Sequence, residues 1–431
     1  MDLIKKINDL NAADLEILMK RSEIDISGVE ASVKAIIEEV RQNGGEAVKK
    51  YCLKFDKAEL TSLKVSESEF DEAEKNISPE IKNAIAHAVT NVKKYHEAQL
   101  PKAMDFFEIE PGVFAGEKAV PISSAGLYVP RGRGNFPSML YMLAAPAVIA
   151  GVPQICITTP AGEDGKVDAA CLYAARTCGV NNVFKAGGAQ GIAAMAFGAG
   201  EYPKTEKIVG PGSVYVTAAK RLLSDEIDPG LPAGPSESLI YADGSADPYL
   251  LALDLLIESE HGSDSCALIV TESEKTAQGA AAELEKLLKN VPVPRKTFIE
   301  ESFEKYGAVI VTGSTKESIK FINDFAAEHL QLHCRSPFDI LSEIKNAGEI
   351  ILGGNTPFSA ANYIVGANAV LPTGGKSRTW GPVSVRDFIK YSSVIYCTDR
   401  GMNNIKTDAA LLAKYEGFPC HYNGLTQRDT K

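Results

Sequence analysis

The sequence predicts an α/β protein built from two parallel-sheet units, and three observations carry that expectation. From Leu127 onward, short apolar runs alternate with helical stretches, the pattern of βαβ units. Two of those runs lead directly into glycine-rich turns that open helices, GGAQG at Gly187–Gly191 and GPGS at Gly210–Ser213. The strand–helix series then starts again near Ser238, so there are two α/β units and not one.

The elements follow in order. The N-terminal part reads as helical. Ser78-Pro79-Glu80 starts a helix, with Ser as the cap and Pro in the first turn, where its missing N–H costs nothing, and the helix can run to Leu100. Val113–Val129 alternates as strands do. Leu127–Val129, Gln154–Thr159, Asn182–Lys185 and Lys207–Val209 are the expected strands of the first unit, with helices at Ser138–Ala150 and Val167–Thr177. The second series has strands at Ser238–Tyr241, Ala267–Thr271, Ala308–Val311 and Gln331–Cys334. Asp247-Pro248 caps a helix that runs to His261 and stops at Gly262. Gly353–Gly375 is a long Gly/Pro/Asn-rich loop, too apolar for disorder, and loops of that length are usually functional.

Composition narrows the function. A chain of 431 residues, at roughly 150 per domain, folds as two or three domains. It is 45% hydrophobic and 23% charged, with a net charge of −11, which argues against nucleic acid or an anionic membrane as partner. The longest apolar stretch, Met139–Val152, is shorter than the roughly 18 residues a membrane span needs, and Pro146 interrupts it. The beginning of the chain lacks an apolar signal core. Eight Cys without a C-x-x-C pair read as reduced thiols of a cytoplasmic protein, not as a disulfide scaffold or zinc ribbon.

Several segments can carry chemistry. Of the six His, His87 and His96 read as surface residues. Glu258 and His261, three apart at a helix end, suit a carboxylate and an imidazole sharing one metal ion; the same spacing suits an ordinary polar helix end. Glu328-His329 joins a water-activating carboxylate to a candidate general base, or is a helix C-terminus with a favourable His. The two glycine-rich turns can set helix N-termini against an anion, though neither is the G-x-G-x-x-G fingerprint. RGRG at Arg131–Gly134 is either an anion-binding turn or a solvated one.

Taken together, the series GLYVP (Gly126–Pro130), KAGGAQGIAAMAFG (Lys185–Gly198), GPGS-x-YVT-x-AKR (Gly210–Arg221), PAGPSE (Pro232–Glu237), EHGSDS (Glu260–Ser265), AEHL (Ala327–Leu330), VLPTGG (Val370–Gly375) and EGFPCH (Glu416–His421) resembles the histidinol dehydrogenases, collinearly over most of the chain. The resemblance implies zinc and NAD as cofactors and a homodimer whose C-terminal tails complete each other's active sites. It implies two Rossmann-like parallel-sheet domains with small helical N- and C-terminal elements. Their implied bounds are a helical segment 1–24, a first α/β domain of 25–110 and 237–375, a second, NAD-side domain of 111–236, and a tail domain of 376–431. By the same resemblance Glu258, His261, Asn362 and His421 hold the zinc, and Glu328 and His329 are catalytic. Tyr128, Gln190 and Ser213 contact NAD, and Ser138, Ser236 and Glu416 contact substrate.

The chain departs from the family pattern at instructive places. Glu258 stands where the family has Gln, and Asn362 where it has Asp, so one negative charge has moved from one ligand to the other. Ser213 replaces an Asn, and Ala369 replaces a substrate-contacting His. Arg131 and Arg133 stand where small residues are usual, and either would favour an anionic substrate group. The implied reaction oxidises a small primary alcohol through an aldehyde to a carboxylate. L-histidinol to L-histidine is the default, and a sulfonated diol, known for some relatives, is the alternative.

Overall fold

The structure is a computed structural model that describes residues 3–21, 25–132 and 134–428. Arg133 therefore lies outside the described residues.

The chain opens with β1 (Ile4–Lys6), α1 (Ala12–Lys20), α2 (Glu30–Tyr51), α3 (Glu67–Asn76) and α4 (Pro79–Glu97). Next come β2 (Met104–Glu110), β3 (Val113–Pro121), β4 (Ser124–Tyr128), α5 (Pro137–Ile149), β5 (Gln154–Thr158), α6 (Ala169–Cys178), β6 (Val183–Phe184), α7 (Gly188–Phe197), β7 (Lys207–Val209) and α8 (Val214–Leu222). The second series is β8 (Glu237–Ala242), α9 (Pro248–Ser259), β9 (Cys266–Thr271), α10 (Glu274–Leu288), α11 (Arg295–Lys305), β10 (Ala308–Val311), α12 (Thr315–Phe325), β11 (His329–His333), α13 (Pro337–Leu341), β12 (Glu349–Leu352) and α14 (Phe358–Tyr363). The chain closes with β13 (Ile389–Cys397), α15 (Asp399–Tyr415) and α16 (Pro419–Thr426).

Two parallel sheets result, as the alternation requires. One has the order β6-β5-β4-β7, the other β1-β10-β9-β8-β11-β12. In each, the first strand of its own series lies inside the sheet and the connections run outward both ways, which is the doubly wound arrangement. In the six-stranded sheet both faces are buried. Ile240 and Ala242 pack on one side with α9 and α10 residues such as Leu251 and Ala277, while Leu239 and Tyr241 pack on the other with Phe321 and Phe325 of α12. That period of two explains why these strands are continuously apolar instead of alternating. The long loop expected at Gly353–Gly375 contains α14.

Three sequence expectations need correction. The N-terminal part is not wholly helical, because Ile4–Lys6 pairs in parallel with β10 as an edge strand. Residues 25–110, expected with 237–375, supply α2, α3 and α4, and these pack on α5 to α8 beside the four-stranded sheet. Val33, Ile36, Val40 and Val48 of α2 share one core with Ile192, Met195 and Val216. Residues near the C-terminus are not only helical, for β13 pairs antiparallel with β3, which pairs antiparallel with β2.

Two compact units emerge: Met1–Gln99 with Ser123–Phe388, and Leu100–Ile122 with Ile389–Lys431. The first holds both parallel sheets, and the second holds the antiparallel sheet with α15 and α16. No helix among the described residues is long and apolar enough to cross a membrane.

Candidate active site

Titratable groups gather at the amino edge of the six-stranded sheet. Glu237 opens β8, His329 opens β11 and Glu349 opens β12. The parallel register sets His329 between Ser238 and Glu349. Glu349 Oε1 lies 2.5 Å from His329 Nδ1. Glu328 Oε1 lies 3.7 Å from His329 Nε2. Glu328 Oε2 accepts the backbone N–H of Glu237 at 2.8 Å. The Glu237 carboxylate is engaged elsewhere, 2.6 Å from the buried Arg21 guanidinium. Phe358 stands edge-on to the His329 ring, with centroids 5.9 Å apart.

Helix α9 brings a second group to the same edge. Asp247 caps it by accepting the Tyr249 N–H, and Pro248 occupies its first turn. The helix ends at Ser259, so His261 lies in the turn beyond it and not on the helix as expected. The pair still meets, with His261 Nδ1 3.2 Å from Glu258 Oε2. Asn362, on α14, donates from Nδ2 to Glu258 Oε1 at 2.7 Å. Its Oδ1 is buried and has no hydrogen-bond partner.

The electrostatics tie these groups into one cluster. Burial alone would lower the pKa of His329, but the carboxylates of Glu258, Glu328 and Glu349 outweigh it and raise it to about 10. Burial pushes the Glu328 carboxyl well above the usual range, and Glu258 and Glu237 add to that. Burial also opposes ionisation of Glu258, yet His329, His261 and the Asn362 N–H hold it below its ordinary value. Three carboxylates around one imidazole leave an excess of negative charge in a buried place, which a divalent cation balances.

Among the described residues no group of three His, Cys, Asp or Glu side chains converges as a metal cage. The trio here counts one Asn. Glu258 and His261 supply a carboxylate and an imidazole, and the orphaned Asn362 Oδ1 is an oxygen ligand without a donor. The residues present fit zinc.

The residues expected to bind NAD collect at the carboxyl edge of the other sheet. Tyr128 ends β4, and its hydroxyl accepts the Gly188 N–H at 3.1 Å, at the start of α7. The side chain of Gln190 folds back over Gly188, so that a Cβ there would lie 2.8 Å from Gln190 Oε1. Ser213 precedes α8, beyond β7. Gly210 has φ of +125°, and a Cβ on it would stand 2.1 Å from the Tyr128 carbonyl oxygen. Neither α7 nor α8 has a side-chain cap from its N-cap residue; the Gly188 N–H of α7 goes to Tyr128, and the remaining N–H groups of the two first turns face an anion-binding position. This crevice lies between β4 and β7, where the strand order reverses, the usual ligand position in such sheets.

The other expected contacts are dispersed. Arg131 stands over Gly162 after β5, at the carboxyl edge of the four-stranded sheet, where a Cβ on Gly162 would lie 2.8 Å from its Nη1. Ser138 lies in the first turn of α5, and Ser236 precedes β8, its carbonyl accepting the Cys266 N–H at 2.9 Å. Glu416 ends α15 and His421 lies on α16, both exposed in the second unit.

A model of the histidinol dehydrogenase family matches residues 19–429. The chain belongs to the histidinol dehydrogenase family. It is thus an NAD-dependent oxidoreductase by membership. It is 48% identical to a histidinol dehydrogenase of Synechocystis over 431 residues, covering 100% of this chain and 99% of that one. It is 45% identical to a "histidinol dehydrogenase homolog" of Colwellia psychrerythraea, covering 98% and 96%. Among solved structures, histidinol dehydrogenase from Elizabethkingia anophelis superposes with a TM-score of 0.93 at 34% identity, covering 97% and 96%. The α/β fold with parallel sheets agrees with that of this relative.

Sequence reasoning missed Glu349 and Phe358, and misplaced His96. His96 is buried in α4, not at the surface. Its Nδ1 lies 2.7 Å from Gln99 Oε1, and its Nε2 3.1 Å from Asn368 Nδ2. Burial lowers its pKa, so the neutral ring donates to Gln99 and accepts from Asn368. His96 thereby fixes the segment that carries Ala369.

Proposed function

We propose that this enzyme oxidises a small primary alcohol through an aldehyde to a carboxylate. Overall, one alcohol, one water and two NAD give one carboxylate, two NADH and three protons. The observation that carries the reading is the buried meeting of Glu258, Asn362, Glu328, His329 and Glu349 at one sheet edge.

Glu258, His261 and Asn362, with His421 from a second copy of the chain, would hold the zinc, and Tyr128, Gln190 and Ser213 would hold NAD. When bound, zinc polarises the reacting oxygen and NAD accepts hydride. The rest falls to side chains. Glu349 holds the Nδ1 proton of His329; the ring is charged while the Glu258 carboxylate faces it uncompensated, and a cation held by Glu258 would lower its pKa and free Nε2 to take the alcohol proton. Glu328, anchored by the Glu237 N–H, is raised well above the usual carboxyl range, which suits a base strong enough to take the proton of the water that hydrates the aldehyde once a cation at Glu258 relieves the repulsion that keeps it neutral. Ser138, Ser236 and Glu416 are proposed to orient the substrate. Arg131, on the nucleotide side, serves the cofactor's phosphates better than a substrate anion. We place the enzyme in the cytoplasm as a homodimer with shared sites. Free thiols at all eight cysteines support the first, and the apolar exposure of Leu411, Leu412 and Tyr415 on α15 supports the second.

L-histidinol is the default substrate. A different small alcohol, such as a sulfonated diol, is the second reading. Ala369 favours it, since a methyl group stands where the family has an imidazole. The test is NADH release by zinc-supplemented protein on histidinol and dihydroxypropanesulfonate. Two NADH per alcohol on one of them is expected; failure on every small alcohol tried would reject the reading.

A further inference from the structure

We propose that Asp56 receives the ribose hydroxyls of the dinucleotide and sets a preference for NAD over its 2′-phosphorylated form. The inference rests on the reading of the four-stranded sheet as the nucleotide sheet.

In doubly wound dinucleotide sheets, an acidic residue at the end of the strand beside the first one hydrogen-bonds the ribose. Here that strand is β5, and Thr159-Pro160-Ala161-Gly162 after it contains no acid. The two acids that follow are already engaged. Glu163 is exposed and lies 3.6 Å from Lys57 Nζ, and Asp164 accepts the Lys166 N–H at 3.1 Å. Another element must supply the carboxylate.

Asp56 comes from the N-terminal helices, which the sequence alone does not tie to this sheet. It ends a π-helical turn, Cys52–Asp56, that continues α2. Such turns are frequent at functional sites. Cys52 Sγ donates to the Lys185 carbonyl at 3.4 Å, which pins the turn to the carboxyl end of β6. Lys57 then adopts φ of +54° and turns the chain away. Asp56 is thereby held close enough to Tyr128 and Arg131 for its charge to act on both.

Its Oδ2 is buried and has no hydrogen-bond partner. Burial pushes the carboxyl up to about 6, against the pull of Arg131. A buried acceptor with nothing to accept is rare in a folded protein and calls for a donor from outside the chain. A ribose diol offers two O–H donors at the edge where the dinucleotide is expected. A 2′-phosphate would bring a second anion against the carboxylate and be disfavoured.

The experiment titrates the full-length protein with NAD and with NADP, without alcohol, following binding by calorimetry, for wild type, Asp56→Asn and Gln190→Ala. Wild type should prefer NAD. Asp56→Asn should weaken NAD by about tenfold or more, the worth of one charged hydrogen bond, and narrow the gap to NADP. Its melting temperature should hold or rise, because burial costs this carboxylate more than Arg131 returns and its Oδ2 has no hydrogen-bond partner to lose. If Asp56→Asn binds both nucleotides as wild type does while Gln190→Ala loses NAD, the role of Asp56 is wrong and the nucleotide sheet stands. If neither variant changes NAD affinity, or wild type binds none, the nucleotide sheet is misassigned and this inference falls with it. Should Asp56→Asn melt early, Asp56→Ser repeats the comparison, and early melting of both would make Asp56 structural and overturn the proposal.

Discussion

The two parallel sheets of this molecule share one folding grammar and use opposite edges. The four-stranded sheet presents glycine turns at its carboxyl edge: Gly187-Gly188 after β6 and Gly210 after β7. The six-stranded sheet collects acids at its amino edge: Glu237, Glu328 and Glu349, joined by Glu258 from the returning end of α9. The balance of buried charge differs as well. Lys185 and Lys220 are buried in the first region, whereas Glu237, Glu258 and Glu328 are buried in the second with one arginine, Arg21, paired to Glu237. A βαβ sheet therefore does not by itself say where its chemistry sits. Backbone N–H groups converge at carboxyl edges because helices start there, which suits phosphates. Side-chain chemistry is free to use the amino edge, where helices end and strands begin.

The largest effect expected from this division is loss of catalysis without loss of nucleotide binding. His329→Ala should lower kcat by roughly 10²–10⁴-fold, the usual worth of a general base. The NAD dissociation constant should stay within twofold of wild type. Glu328→Gln should damage aldehyde oxidation more than alcohol oxidation, measured separately with each substrate. Equal damage to both steps would remove its water-activating role.

A pair of glycine substitutions separates the two edges from the other direction. In Gly210→Ala the new Cβ meets the Tyr128 carbonyl oxygen at 2.1 Å, at a φ of +125°. In Gly348→Ala it meets the Glu328 carbonyl oxygen at 2.5 Å. Gly210→Ala should cost about 1–3 kcal/mol of stability, the range for strained backbone positions, and Gly348→Ala about 1–3 kcal/mol from steric overpacking alone. Gly210→Ala should weaken NAD and spare zinc content; Gly348→Ala should lower kcat and spare NAD affinity. Calorimetry and metal analysis on both variants check this, and a crossed pattern would mean that the edges are not separate sites.

What was legible in the sequence follows the same division. The glycine turns and the Glu258, His261, Glu328 and His329 segments are local patterns, and each lies at the end of an element whose periodicity predicted it. Glu349 was not legible, because it meets His329 only through the β11–β12 register, and nothing within Ala347–Ile350 marks that pairing. His96 could have been found: it continues the buried series Ile85, Ala88, Val89 and Val92 at helical spacing. The edge strand β1, three residues long, is too short to show alternation. Residues 25–110 were grouped with the wrong sheet because an amphipathic helix shows which face is buried but not what buries it.

The smallest effect concerns a buried cation beside the four-stranded sheet. Lys220, on α8, donates from Nζ to the Gly210 carbonyl at 3.2 Å. Burial, with Lys207 adding and Asp228 opposing, lowers its pKa to about 8 from an ordinary 10.5. The folded state therefore gives up this proton before the unfolded state does. Below pH 8 the full cost of burying the charge is present. Between about 8 and 10.5 the unfolded chain binds more protons, so stability rises with pH through that window. From pH 7 to 9 the gain is about 1 kcal/mol. Lys220→Met removes it, so wild type should gain that much more than the variant between the two pH values in urea titrations. No comparable lysine contribution is expected at the amino edge of the six-stranded sheet, whose buried ionisable groups are carboxylates, a histidine and Arg21. If Lys220→Met keeps the alkaline gain, the proton comes from elsewhere. The Gly210 turn would then be held by an ammonium of ordinary pKa, and the contrast in buried charge between the two sheets would lose its energetic meaning.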